Sequence, residues 1–125
     1  SIMNEKRAER MFRDEIPFWR EHIQCIKKTV SKSLGDYAAY FFYRRMLSYF
    51  MELREQKEYK AAANRIANMM CSEKREVLRV YQEQFQSKGD TIRMKLFLWS
   101  PDMYYGINWL YERVILPLRR KIDAF

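Results

Sequence analysis

The chain has 125 residues and a formal net charge of +8 at pH 7, with 48% hydrophobic, 16% aromatic and 32% charged residues. Three Gly and three Pro are too few for collagen-like, disordered or turn-rich β architecture, and the length fits one domain, 1–125, burying roughly two-thirds of the surface its unfolded chain exposes. Two cysteines, Cys25 and Cys71, and one histidine make neither a disulfide framework nor a zinc-ligand set, which points to a reducing or matrix-like compartment and to no cofactor.

In chain order, Asn4 to about Glu15 reads as a short charged helix ending before Pro17, with Met3, Met11 and Ile16 as its sparse apolar positions. Pro17 suits the first turn of a new helix, where its missing N–H is no loss, and Trp19, Ile23, Ile26 and Val30 then recur at helical spacing. Gly35 is the expected left-handed end of that helix, and Asp36 the expected cap of the next. That next helix, about 37–57, is aromatic nearly all round its first four turns, so it must be surrounded by other helices or by a partner. It is the expected centre of an all-α bundle of five to six helices, and residues 37–51 are expected to carry more apolar surface than so small a domain hides alone.

Residues 58–71 place Tyr59, Ala62, Ala63, Ile66, Met69 and Met70 at helix spacing. Ser72 then caps a helix over 73–87 with Val77, Leu78, Tyr81 and Phe85 as its stripe, stopped by Lys88-Gly89-Asp90; one bent helix over 58–87 is equally allowed. Residues 91–99 mix helical and strand signals and are taken as helical, because no second strand exists to pair with them. Ser100-Pro101-Asp102 is a strong helix start, and the helix should run to about Leu116 before Pro117 kinks or ends it. The longest apolar stretch, Met94 to Leu118, is interrupted by Lys95, Asp102, Glu112 and Arg113, so no transmembrane span is expected. The N-terminal region lacks the uncharged apolar block of a signal peptide and carries too many acids for a transit peptide; a start at Ser1 rather than Met is compatible with organelle import.

Two constellations carry the functional expectations. The segment Phe42-Tyr43-Arg44-Arg45-Met46-Leu47 resembles the Leu-Tyr-Arg motif of the mitochondrial LYR-motif family, with Phe42 in place of the leucine. Arg65, Ile66 and Met70 fall where that family carries a second arginine, an apolar neighbour and a phenylalanine; Met70 departs from the phenylalanine, and the linker expected after Cys71 is missing. The resemblance covers about 42–88 and implies a small basic helical subunit or assembly factor, in the mitochondrial matrix or on the matrix side of the inner membrane, whose partner is acyl carrier protein. By that analogy Arg44 and Arg65 meet the acidic partner, while Tyr43, Leu47 and Phe50 line its apolar contact. Their i, i+4, i+7 spacing equally describes one face of a core helix.

The second constellation is Leu96-Phe97-Leu98-Trp99, Met103-Tyr104-Tyr105, Trp109-Leu110-Tyr111 and Val114-Ile115-Leu116, closed by Arg119-Arg120-Lys121, with Trp99, Tyr104, Tyr105, Trp109, Arg119, Arg120 and Lys121 as its candidate interface residues. Trp and Tyr beside arginines suit a subunit interface, an anionic lipid surface or an ordinary packed last helix. His22 and Cys25 at i, i+3 offer two metal ligands, which do not make a site, and no nucleophile has an oriented base. These features point to a non-catalytic accessory subunit of a large multi-protein complex, of the respiratory-chain or ATP-synthase type. A basic helical nucleic-acid or ribosome-associated module is the alternative, on the strength of the charge.

Overall fold

The computed structural model describes residues 5–84 and 88–124. Met3, Asn4 and Phe85, assigned to helices from the sequence, lie outside the described residues. Among the described residues the regular elements are all helical: α1 (Glu5–Arg10), α2 (Ile16–Thr29), α3 (Lys32–Arg54), α4 (Lys60–Ser72), α5 (Lys74–Gln84), α6 (Lys88–Trp99), α7 (Pro101–Leu110) and α8 (Leu116–Asp123). A single-turn 3-10 helix, Lys57–Tyr59, leads into α4. The all-α architecture anticipated from composition is the one observed, and none of these helices is long and apolar enough to cross a membrane.

Neither internal proline ends its helix. A π turn, Met11–Glu15, joins α1 to α2, and a second, Tyr111–Ile115, joins α7 to α8, so each pair is one continuous rod. In each the residue before proline sends its N–H five residues back, Ile16 to the Met11 carbonyl and Leu116 to the Tyr111 carbonyl. A proline ring clashes with the carbonyl four residues back and offers no N–H, and a locally widened turn takes up both defects without breaking the helix.

The α2–α3 boundary also differs from expectation. The α2 helix ends at Thr29, and Ser31 caps α3, its Oγ accepting the Leu34 N–H at 3.0 Å. Gly35 therefore lies inside α3 with ordinary negative φ, and its role is close approach: a Cβ there would sit 2.2 Å from Lys27 Cγ on α2. Asp36, expected as a cap, is instead 2% exposed and accepts both Arg79 nitrogens from α5 at 2.9 and 3.0 Å, with Lys27 Nζ at 3.6 Å. Those hydrogen bonds hold its carboxyl below the usual carboxylate range.

Central helix α3 is covered by α2, α4 and α5, and Phe50 reaches α6. Tyr40, Phe42, Tyr43, Met46, Tyr49, Phe50 and Leu53 are all buried. Phe97 of α6 links the core, edge-on to Phe50 at 5.0 Å and to Tyr104 of α7 at 5.5 Å. The expected surplus of apolar surface over 37–51 is thus largely taken up by the chain's own helices, with Tyr37 and Phe41 the half-exposed residues that remain. A helix of small residues, α4, lets its neighbours approach through Ala63 and Ala67. It stops at Ser72, whose hydroxyl donates to the Met69 carbonyl at 2.7 Å rather than capping α5. Lys88-Gly89-Asp90 forms the first turn of α6, and the end of α5 expected just before it, residues 85–87, lies outside the described residues; Asp90 sits in that positive first turn and accepts the Tyr40 hydroxyl at 3.0 Å.

Candidate functional site

The five motif residues do not converge. Tyr43 is buried in a cleft of about 230 Å³ between α2, α3 and α5, beside the forked Arg20–Glu73 pair. Burial, reinforced by the carboxylates of Glu73 and Glu76, pushes its phenol up to about 12. Phe50 is fully enclosed in the core. Arg65 lies on α4 above the Phe12 ring at 4.1 Å, beside a separate apolar groove of about 290 Å³ walled by Ala8, Tyr59 and Ala62. Only Arg44 and Leu47 share a cavity, of about 340 Å³, lying between α3, α6 and α7.

The charge of that cavity decides what it suits. Arg44 and Arg93 face four carboxylates, Glu52, Glu55, Asp90 and Glu112. Arg44 stacks over Tyr40 at 5.7 Å, Asp90 holds the Tyr40 hydroxyl, Glu55 pairs with Arg113 at 3.7 Å, and Glu52 Oε2 is buried without a hydrogen-bond partner. An excess of carboxylate favours a cation over a phosphate or an acidic protein.

The C-terminal constellation separates into two groups. Tyr104 is buried against Phe97, and Tyr105 lies under Arg54 at 4.9 Å; with the Arg54–Asp102 and Arg113–Glu55 pairs at 3.3 and 3.7 Å they fasten the first half of the α7–α8 rod to the bundle. Trp99 is 74% exposed, Trp109 is 43% exposed, and Arg119, Arg120 and Lys121 are all exposed. No residue of α8 is buried. The exposed ridge is aliphatic, with Ile107, Leu118 and Ile122 outside the constellation expected from the sequence: Met103, Ile107, Leu110, Val114, Leu118 and Ile122 are each between 41% and 68% exposed. Their spacing of three and four was present in the sequence, but its alignment depends on the extra residue of the π turn.

His22 stacks on Phe18 at 4.8 Å, while Cys25 is exposed with its Sγ 4.0 Å from the Thr29 hydroxyl. Among the described residues no group of three or more His, Cys, Asp or Glu is placed to hold a metal ion. No protein-family model matches the chain, and neither curated proteins nor solved structures gave a match.

Proposed function

We propose that this protein is a non-catalytic accessory subunit of a large assembly, a mitochondrial inner-membrane complex of the respiratory-chain or ATP-synthase kind, and that the α7–α8 rod is its docking element. The observation that supports this reading is the apolar ridge from Met103 to Ile122, which the chain's own helices leave uncovered while they enclose five of the seven aromatics of α3. Contiguous apolar surface of this sort on a small basic domain marks an interaction site. The mitochondrial assignment draws on the resemblance of residues 42–88 to the LYR-motif family. Acyl carrier protein is given little support by the geometry, because Arg44 sits among carboxylates and Arg65 belongs to another groove.

The test is native electrophoresis of membranes from the source cells, probed for this chain. Migration with a high-mass assembly, together with dye binding by the isolated chain that Leu118→Glu suppresses, is the expected result. A dye-negative, cooperatively melting monomer that never enters a larger species would overturn the reading.

A further inference from the structure

The α7–α8 rod has a direction that the bundle defines. Tyr104, Tyr105 and Asn108 lie on the side that packs inward, and Leu116 continues that side past the π turn as the half-covered residue of α8. The ridge Met103, Ile107, Leu110, Val114, Leu118 and Ile122 lies on the other side. Ile122 lies nineteen positions beyond Met103, which in an uninterrupted α-helix would leave them about 100° apart; the extra residue in Tyr111–Ile115 takes up that angle, so the ridge runs straight.

The basic cluster is not uniform about this ridge. Leu118 and Ile122 are one turn apart, and Arg119 and Lys121 lie about 80° to either side of the line between them. Arg120 falls opposite, one turn on from Leu116. Trp109 and Tyr111, both 40–43% exposed, flank the same ridge nearer the bundle. Beyond Val114 the rod carries Arg119, Arg120 and Lys121 against one acid, Asp123. An aliphatic line with amphipathic rings and paired cations at its margins is the layout of a helix that lies in the head-group plane of a bilayer. A seam for a partner helix would instead place charges of alternating sign along its margins.

We propose that the outward side of α7–α8 rests on an anionic lipid surface, with Leu118 and Ile122 entering the acyl boundary and Arg119 and Lys121 reaching the head-group phosphates on either side. This rests on the docking role given to the rod above and names what the rod touches. Each basic residue at an anionic surface multiplies the partition coefficient about fivefold, so removing two cations from the margins costs about 25-fold.

The experiment is flotation of the full-length chain with phosphatidylcholine vesicles, with and without phosphatidylserine. Wild type floats with the phosphatidylserine vesicles and is released by salt. Arg119→Gln/Lys121→Gln binds about 25-fold more weakly, whereas Arg120→Gln stays within about twofold of wild type. Helical circular dichroism unchanged in each variant keeps the comparison fair, since all three positions are exposed. No flotation, equal flotation with phosphatidylcholine alone, or an Arg120→Gln loss of about fivefold, the value for a cation at the surface, each overturns the proposal. If vesicles are ignored but Leu118→Glu drops out of the high-mass assembly, the ridge sits in a protein groove: the lipid proposal falls and the subunit reading stands. Flotation by a chain that enters no assembly has the opposite meaning.

Discussion

The ion cluster joining α2, α3 and α5 gives a sharp stability prediction. Asp36 is 2% exposed and depends on Arg79, which approaches it through both terminal nitrogens at 2.9 and 3.0 Å; Lys27 Nζ is its other cation, at 3.6 Å. Arg79→Met leaves a buried carboxylate with that single, longer contact. Breaking a fully buried pair by removing one partner costs about 3–5 kcal/mol. Arg79 is 27% exposed and Lys27 persists, so the expected loss is about 2–3 kcal/mol, or a melting temperature about 10 °C lower for a domain of this size. The further pairs of Arg79 with Glu76 and Glu83 involve acids 42% and 52% exposed and add little.

The same cluster fixes the sign of the pH dependence. The carboxyls of Asp36 and Glu76 are both lowered, first by hydrogen bonds from Arg79. A group whose folded pKa is depressed contributes stability that is present above its unfolded pKa, about 4 for these acids, and lost as pH falls through the folded value. The gap between wild type and Arg79→Met is therefore widest near neutrality and closes below about pH 4. Thermal melts followed by circular dichroism at several pH values provide the assay, with Asp36→Asn/Arg79→Met as the partner variant that recovers part of the loss by removing the stranded charge. A neutral-pH melt within about 2 °C of wild type, or a gap that ignores acidification, refutes the reasoning.

Four other outcomes are expected. Alanine at a helix interior usually gains about 1 kcal/mol over glycine, but Gly35→Ala should lose about 1–3 kcal/mol in urea unfolding, because its Cβ would meet Lys27 Cγ at 2.2 Å and the Lys27 backbone nitrogen at 3.2 Å. Phe97→Ala removes the ring between Phe50 and Tyr104 and should cost about 3–5 kcal/mol by the same measurement, with a loss under about 1 kcal/mol contradicting its place in the core. Arg44→Glu should leave affinity purifications unchanged with respect to acyl carrier protein; a carrier recovered with wild type and absent from the variant refutes the charge argument for that cavity. Pro117→Ala restores an N–H able to bond four residues back, so amide hydrogen exchange should show a regular turn there, and vesicle binding should fall although no ridge residue has changed.

Local signals proved legible where a few neighbouring residues decide the outcome. Ser100-Pro101-Asp102 opens α7 as its chemistry requires, Ser100 Oγ accepting the Met103 N–H at 3.3 Å, and the ambiguous 91–99 segment is the helix that the lack of a partner strand demanded. Signals set by distant residues were not legible. Gly35 reads as a helix end until Lys27 of the neighbouring helix is seen against it, and Asp36 reads as a cap until Arg79, 43 residues on, is seen to bury with it. That Lys88-Gly89-Asp90 is itself helical, with Asp90 accepting the Tyr40 hydroxyl from 50 residues away, is equally invisible in the local sequence. At the candidate site, Tyr104 and Trp109 look alike in sequence, and only the position of Phe97 makes one a core residue and leaves the other half-exposed.

The two prolines show why the ridge escaped a count of helical spacing. Along the first rod the buried residues Ala8, Met11, Ile16 and Ile23 are separated by three, five and seven residues. The step of five crosses the π turn, where the extra residue makes it equivalent to a step of four. Along the last rod Leu110 and Leu118 are eight apart across the second π turn, equivalent to seven, which is two full turns. The register correction is thus the same at both ends of the chain, but the neighbours differ. Arg65 of α4 and Arg45 of α3 reach the first π turn, at the Phe12 ring and at Glu15, and Met11 and Ile16 are drawn into the core. At the second, the ion pair from Arg113 to Glu55 holds only its near side, and the line from Met103 to Ile122 comes straight on the outside. A proline in a helix therefore determines which downstream side chains share a face, and in this chain it turns scattered leucines and isoleucines into one continuous outward line.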